Sequence, residues 1–185
     1  MNAGQRLKAI SKAMSWALRH EAERLKLTVD PEGYVPLAEL IDAVNAHARL
    51  GVVEADIQKI VEDGDSGKQR FSIIGEWIRA NYGHTLSAEV SHPTVSPPEF
   101  LYHGTSVDKV AAILGDGLKP MLRQFVHLTT EPALAKSVGG RHGKPIVLVV
   151  SAAKAHASGI GFFKANERFW LSKMVPTAFI EVPTD

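Results

Sequence analysis

The chain of 185 residues contains no cysteine, which excludes a disulfide framework, a thiolate nucleophile and a zinc ribbon. It also lacks a charge imbalance: 21 Lys and Arg stand against 20 Asp and Glu, a formal net charge of +1. Phosphate affinity grows with the number of cationic contacts, so this chain is not a broad electrostatic binder of nucleic acid, and any such recognition is local. Long apolar runs are missing too. Met1 to Ile10 is polar, carrying Gln5, Arg6 and Lys8, and no stretch after it has the length of a signal-peptide core or a membrane span. A cytoplasmic protein with no membrane partner is expected. The eight His never recur at the i, i+4 spacing of a helical metal site, so no metal is expected. Neither a Gly-x-Gly-x-x-Gly after a strand nor a Walker-type lysine loop occurs, which excludes Rossmann and P-loop nucleotide sites.

What the chain does have is a hydrophobic fraction of 45%, ample for a packed core in one domain or two small ones. Leu7, Ile10, Met14, Ala17 and Leu18 fall on one face at helical period, predicting an amphipathic helix that ends near Arg19-His20. Cations there complement the negative end of the helix dipole. They also offer a planar fork for phosphate beside a group that titrates near neutrality. After the turn Asp30-Pro31-Glu32-Gly33 comes an extended piece, Tyr34-Val35, then a helix with Leu37, Leu40, Ile41 and Val44 on one face. A third helix has Val53, Ile57, Ile60 and Val61 as its stripe, with Asp63 to Gly67 predicted to stop it. Arg70 to Ile73 and Trp77 to Ala80, joined by Gly75-Glu76, read as a β-hairpin with Phe71 and Ile73 facing the core. Arg70, on the opposite side of that strand with Lys68 and Ser72, is free to reach a ligand. Three helices and a hairpin suggest a winged-helix domain over residues 1–86.

Ser87 to Pro98 is rich in Ser and Pro and reads as a linker. Residues 99–185 then alternate short strands with short helices. Strands are predicted at Leu101 to His103, Val126 to Thr129, Ile146 to Val150 and Phe179 to Val182. Helices are predicted at Val107 to Leu114 and at Pro132 to Val138, the latter capped by Thr130 and ended by Gly139-Gly140. The whole is an α+β chain. His103-Gly104-Thr105, at the end of the first of these strands, offers an imidazole, a hydroxyl and bare backbone at a sheet edge. Arg123 precedes the next strand, and Gly139 to Lys144 is a cationic, glycine-rich turn whose amides suit a pyrophosphate.

Taken in order, Ser11-Lys12-x-x-Ser15-x-x-Leu18-Arg19-His20, Lys68-x-Arg70-Phe71, Ile78-Arg79-Ala80-Asn81-x-Gly83-His84, Leu101-Tyr102-His103-Gly104-Thr105, Gly117-Leu118-x-Pro120-Met121-x-Arg123, Val126-His127-Leu128, Val138-Gly139-x-Arg141-x-Gly143-Lys144-Pro145 and Val175-Pro176 closely resemble the RNA 2′-phosphotransferase family. The resemblance covers nearly the whole chain. It implies a winged-helix lobe joined to an ADP-ribosyltransferase-like lobe, and a reaction that consumes NAD to remove an internal 2′-phosphate from a tRNA-like RNA. The family's Arg-His-Arg-Arg catalytic group falls by motif on Arg19, His20, Arg70 and Arg123. Lys68, Arg79 and His84 are implied on the RNA side. His103, Gly104 and Thr105 are implied near the nicotinamide, with His127, Leu128, Arg141 and Gly143 along the rest of the dinucleotide. A monomer is expected.

Three departures stand out. Glu21-Ala22-Glu23 replaces the family's usual Lys-Pro after Arg-His, Tyr82 stands where Gln is usual, and Asn166 to Leu171 lacks the glycine of Asn-Gly-Val-Trp-Leu. These are expected to weaken the grip on RNA phosphates and to alter a loop over the pocket. Two other functions compete: an ADP-ribosyltransferase acting on nucleic-acid ends or on protein, and a winged-helix binder whose second lobe only senses NAD. Retention of all four catalytic positions favours the phosphotransferase over the first. A phosphate grip implied in both lobes argues against the second.

Overall fold

The computed structural model describes residues 2–67, 69–141 and 143–183, without the side chains of 64–67. It divides into two units, Met1–Ser91 and His92–Asp185. Each contains helices and one antiparallel sheet, so the chain is α+β.

In Met1–Ser91, helix α1 (Ala3–Trp16) starts from a capping box. The Gln5 amide donates to Asn2 Oδ1 at 2.8 Å, and the Asn2 amide donates to Gln5 Oε1 at 3.1 Å. Two of the helix's first amides are thereby satisfied. Ile10, Met14, Ala17 and Leu18 are buried against α2 (Leu37–Ala48) and α3 (Glu54–Gly67), as the apolar period requires. Arg49 ends α2 in the left-handed region, its amide on Asn45 O at 3.1 Å. The Asn45 side chain then grips both backbone groups of Val52, fixing the turn into α3. Strands β1 (Tyr34–Pro36), β2 (Phe71–Ile74) and β3 (Trp77–Ala80) form a sheet in the order β1-β3-β2. Tyr34-Val35 is thus an edge strand of the hairpin's own sheet.

Helix α3 ends at Gly67, the last residue of the stretch predicted to stop it. A glycine inside a helix costs only about 1 kcal/mol, less than the packing of Ile57 and Ile60 supplies. One expectation needs correction in this unit, at the start of α3. Val53 lies before the helix and is exposed, outside the stripe.

In His92–Asp185, six strands are ordered β7-β8-β5-β4-β6-β9, each neighbouring pair antiparallel. They are β4 (Leu101–Ser106), β5 (Val126–Thr129), β6 (Pro145–Val150), β7 (Phe162–Lys164), β8 (Phe169–Ser172) and β9 (Ile180–Glu181). A 3-10 turn, Val107–Lys109, leads into α4 (Val110–Asp116); α5 (Pro132–Gly139) and α6 (Ala152–Ala157) complete the unit. Leu101, Leu128, Leu148, Val150 and Phe162 form its core. Here β4 runs on through Ser106, so His103-Gly104-Thr105 is mid-strand and not a turn at a strand end. Glu131, not Thr130, occupies the cap position of α5, and it caps without a side-chain bond. Phe179 belongs to a 3-10 turn before β9. Elements β7, β8 and α6 lie outside the sequence expectation, and Phe169 to Leu171, expected in a loop, are strand residues of β8.

The stretch 87–98 divides between the units. Ser87 and Ser91 hydrogen-bond to Glu23 and Pro31, whereas Val95 donates to Phe162 O at 2.9 Å and Thr94 bridges to Phe163.

Candidate active site

Helix α1 does not stop at Trp16 but widens into a π-helical turn, Ala17–Glu21, that carries Arg19 and His20. Such turns insert one residue into the helical repeat and shift the side chains that follow. The loop after β3 fastens this turn. Thr85 donates its amide to Arg19 O at 2.9 Å, and its hydroxyl lies 3.4 Å from the same carbonyl and 2.9 Å from His20 Nδ1. With the hydroxyl donating to the carbonyl, it accepts from His20 Nδ1–H, and the neutral ring carries its lone pair on Nε2. His20 is exposed. A small hydroxyl thus fixes the imidazole's orientation.

Arg19 is half-buried, with its guanidinium 4.9 Å from the centre of the Tyr82 ring. Tyr82, which stands where the family usually has Gln, therefore gives the cation an aromatic floor. Gly83, at φ 91°, lies against the same side chain: a Cβ there would come within 3.4 Å of Arg19 Cδ. The adjacent carboxylates are occupied locally. Glu21 pairs with Arg24 at 2.5 Å, and Glu23 accepts from the Ser87 hydroxyl and amide, which hold its pKa below the ordinary carboxylate value.

The other candidates of this unit are distributed over three places. Arg70 reaches α1, its Nη1 3.5 Å from the hydroxyl of buried Ser11. Asn81 holds the strand start beneath it, donating its amide to Arg70 O at 2.8 Å and its side chain to Gln69 O at 2.8 Å. Arg79 lies over the Tyr34 ring at 4.8 Å and donates to Glu32 O at 3.3 Å, on the β1 side of the sheet. His84 is buried under the 30–33 turn, where a Cβ on Gly33 would come within 3.7 Å of its Nε2. Lys68 lies outside the described residues.

In the second unit, β4 and β5 bring two candidates together. His103 Nδ1 donates to His127 O at 2.9 Å. Burial pushes the His103 pKa down, partly offset by that carbonyl. The ring is therefore neutral near pH 7, with Nδ1 committed as donor and the lone pair on Nε2. Gly104 has a specific packing reason: a Cβ would lie 1.7 Å from Ala135 O. Its bare face admits helix α5, and at Gly139 a Cβ would lie 2.5 Å from Thr105 O. These two glycines let the helix and strand touch backbone to backbone. Thr105 and Leu128 are buried, so Leu128 has only backbone to offer a ligand.

Arg123 and Arg141 are exposed on separate turns. Gly143, at φ 144°, lies against Ser106 and Asp108; the Ser106 hydroxyl holds the Asp108 pKa below its ordinary value. His142 of that turn is outside the described residues. The 166–171 segment is fastened by Asn166 Oδ1, which accepts from the amides of Arg168 and Phe169. Arg168 forms a two-pronged pair with Glu131, both contacts at 2.5 Å. Among the described residues no group of three or more His, Asp or Glu is placed to hold a metal ion, and no helix is long and apolar enough to cross a membrane. Thr85 was not singled out in the sequence. Its signal was only its place, two residues after Gly83 at the end of a recognised motif.

Comparison with known proteins gives the family of the chain. A model of the family described as "RNA 2'-phosphotransferase, Tpt1 / KptA family" matches residues 5–174. A "Probable RNA 2'-phosphotransferase" of Herpetosiphon aurantiacus is 37% identical over 176 residues, 95% of this chain and 96% of that protein. Proteins of the same description from Pectobacterium carotovorum and Rhizobium rhizogenes are 42% and 39% identical, covering 93% and 92% of this chain and 92% and 91% of their own lengths. The chain is a transferase. More narrowly, it belongs to the RNA 2′-phosphotransferase family.

Proposed function

We propose that the protein removes an internal 2′-phosphate from RNA by transferring it to ADP-ribose, with NAD consumed as the second substrate. In this reading Met1–Ser91 is a winged-helix lobe and His92–Asp185 an ADP-ribosyltransferase-like lobe, acting as a cytoplasmic monomer. The RNA phosphate attacks the anomeric carbon of the nicotinamide ribose and nicotinamide leaves, giving 2′-phospho-ADP-ribosylated RNA. The ribose 2″-hydroxyl then attacks phosphorus, and the RNA 2′-oxygen leaves and takes up a proton. RNA with a free 2′-hydroxyl and ADP-ribose 1″,2″-cyclic phosphate result.

The observation that carries this reading is the Arg19, His20 and Thr85 arrangement in a chain of this family. A planar cation and an imidazole of fixed orientation are carried by consecutive residues of one turn, a pairing suited to gripping a phosphate and moving one proton. Arg19 and Arg70 are assigned to the phosphate, and His20 to the ribose hydroxyl or the leaving 2′-oxygen. Arg123 is assigned to charge that builds on the phosphoryl oxygens in the second step. His103 is assigned to NAD. Its neutral ring, held through Nδ1, presents a lone pair that suits a ribose hydroxyl. Thr105, His127, Arg141 and the backbone at Gly104, Leu128 and Gly143 are assigned to the same substrate, and Lys68, Arg79 and His84 to the RNA side.

Incubating the protein with NAD and an oligoribonucleotide bearing one internal 2′-phosphate tests this. Nicotinamide, the cyclic phosphate and 2′-hydroxyl RNA are expected in equal amounts. Stable ADP-ribosylated RNA as the end product would make the protein an ADP-ribosyltransferase instead.

A further inference from the structure

The sheet of Met1–Ser91 has a second face on which the reading above assigns only Arg79 a part, on the RNA side. Strand alternation turns Val35, Phe71, Ile78 and Ala80 into the core, where all four are buried. The register places Tyr34, Pro36, Ser72, Ile74, Trp77 and Arg79 on the opposite face. A face turned to water ordinarily carries polar side chains. This one instead exposes Trp77 at 41% and its cross-strand partner Ile74 at 64%.

The only charged residue of the six is Arg79, which already lies flat over the Tyr34 ring at 4.8 Å. Its Nη1 is directed to Glu32 O, and its buried Nε has no hydrogen-bond partner. The carboxylates at this edge, Glu32 and Glu76, belong to turns outside the face. Taken together, these residues provide an exposed indole, a second aromatic ring carrying a guanidinium, and small side chains between. Unpaired nucleotides are held by this combination, because a base stacks on an aromatic plane while a cation meets its backbone.

We propose that the outer face of β1-β3-β2 is a stacking platform for an unpaired nucleotide of the RNA substrate, with Trp77 under the base and Arg79 toward the phosphate. This rests on the RNA reading given above and adds a contact outside the reacting atoms. Stacking tolerates any base, since every base has a π-face. Such a contact holds an RNA strand in a nearly neutral protein without reading its sequence.

The test uses the full chain and a single-stranded oligoribonucleotide with one internal 2′-phosphate. Trp16 is stacked on His47 at 4.0 Å and Trp170 is buried, which makes Trp77 the fluorophore open to quenching. Binding should quench wild-type fluorescence. By anisotropy, Trp77→Ala should bind roughly 5- to 100-fold more weakly, whereas Trp77→Phe, which keeps a ring, should lose less. Scanning an abasic site along the strand should find one position that weakens wild type and leaves Trp77→Ala unaffected. Equal affinity of wild type and Trp77→Ala overturns the proposal, as does an abasic scan that affects both proteins alike. A wild-type dimer that Trp77→Ala dissociates, with RNA affinity unchanged, assigns the face to a second copy and also overturns it. Turnover with NAD, followed in parallel, separates the two claims. Trp77-dependent binding without turnover sinks the reaction; turnover with Trp77-independent binding sinks only the platform.

Discussion

The two units hold their candidate residues by opposite means. In Met1–Ser91 the groups sit at an interruption of regular structure, a π-helical turn and the loop that ties it down through Thr85. In His92–Asp185 the His103 and His127 pair lies within β-strands, and its surroundings are fixed by two glycines that bring α5 onto β4. The first arrangement orients side chains by hydrogen bonds that a single substitution can remove. The second orients them by backbone packing, which a single added methyl group can disrupt.

The largest expected effect separates the units by chemistry. In the first step of the proposed reaction a dianionic phosphate would lose charge as it bonds to carbon, so cations would mainly position it. Attack at phosphorus concentrates charge on the non-bridging oxygens, and there a fixed cation lowers the barrier directly. Removing one such charge costs about 2.7–4 kcal/mol, roughly a hundredfold to a thousandfold in rate. Arg123→Ala should therefore slow the second step more than the first, so that ADP-ribosylated RNA accumulates. Arg19→Ala should suppress both steps with no intermediate visible. Single-turnover quench analysis decides, and equal slowing of nicotinamide release and intermediate decay in Arg123→Ala removes it from the second step.

The next effect concerns two glycines. Gly104→Ala forces a Cβ onto the Ala135 carbonyl, and overpacking against a backbone that cannot yield costs at least the upper part of about 1–3 kcal/mol. Gly83→Ala strains a positive φ but meets only the flexible Arg19 stem, at a cost of about 1–2 kcal/mol. Denaturant melts should rank Gly104→Ala as the less stable, and activity per folded molecule should fall more in Gly83→Ala. The reverse ranking would break the contrast between the units.

The same contrast explains what could be foreseen. Helices α1 and α2 announce themselves because Ile10, Met14 and Leu18, or Leu37, Leu40 and Val44, repeat at the helical period over about two turns. The hairpin is legible from Gly75-Glu76 between alternating runs. Strand β8 is not, since all four of its residues are buried and no alternation survives; β7 is only three residues long. The motif residues were legible, but the reason for Gly104 was not. Sequence suggests bare backbone for a ligand, and only the tertiary position of Ala135 reveals that helix α5 packs against the side a Cβ would occupy.

A smaller effect follows from His103. Its folded-state pKa is pushed below the ordinary 6.5 by burial. The unfolded chain therefore binds a proton that the folded chain refuses as pH falls through 6.5. The stability attached to the neutral ring is complete above that value and declines as the pH drops toward the folded pKa. His103→Gln keeps a donor for the His127 carbonyl but does not titrate. The fall of stability on acidification should be shallower in the variant, by no more than about 1.4 kcal/mol per pH unit, the value of one proton. Parallel pH profiles would remove this assignment.

The smallest effect compares the two Arg clamps. Arg6 meets both oxygens of Asp56 and also donates to Leu50 O and Gly51 O, tying α1 to the turn before α3. Arg168 meets both oxygens of Glu131 and ties the β7–β8 turn to the start of α5. Hydrogen bonds from the guanidinium are the main reason each carboxyl pKa lies below its ordinary value. Each clamp therefore contributes above the ordinary carboxylate range and is lost as pH falls through the depressed pKa. The difference is exposure: the Asp56 side chain is 14% accessible and that of Glu131 42%, and water and salt screen the second more. Asp56→Asn should accelerate amide exchange at the α1 start and the α3 start. Glu131→Gln should accelerate it at the α5 start by less, and added salt should erase most of that smaller difference. If Glu131→Gln has the larger effect, or if its effect is indifferent to salt, exposure does not rank the two clamps.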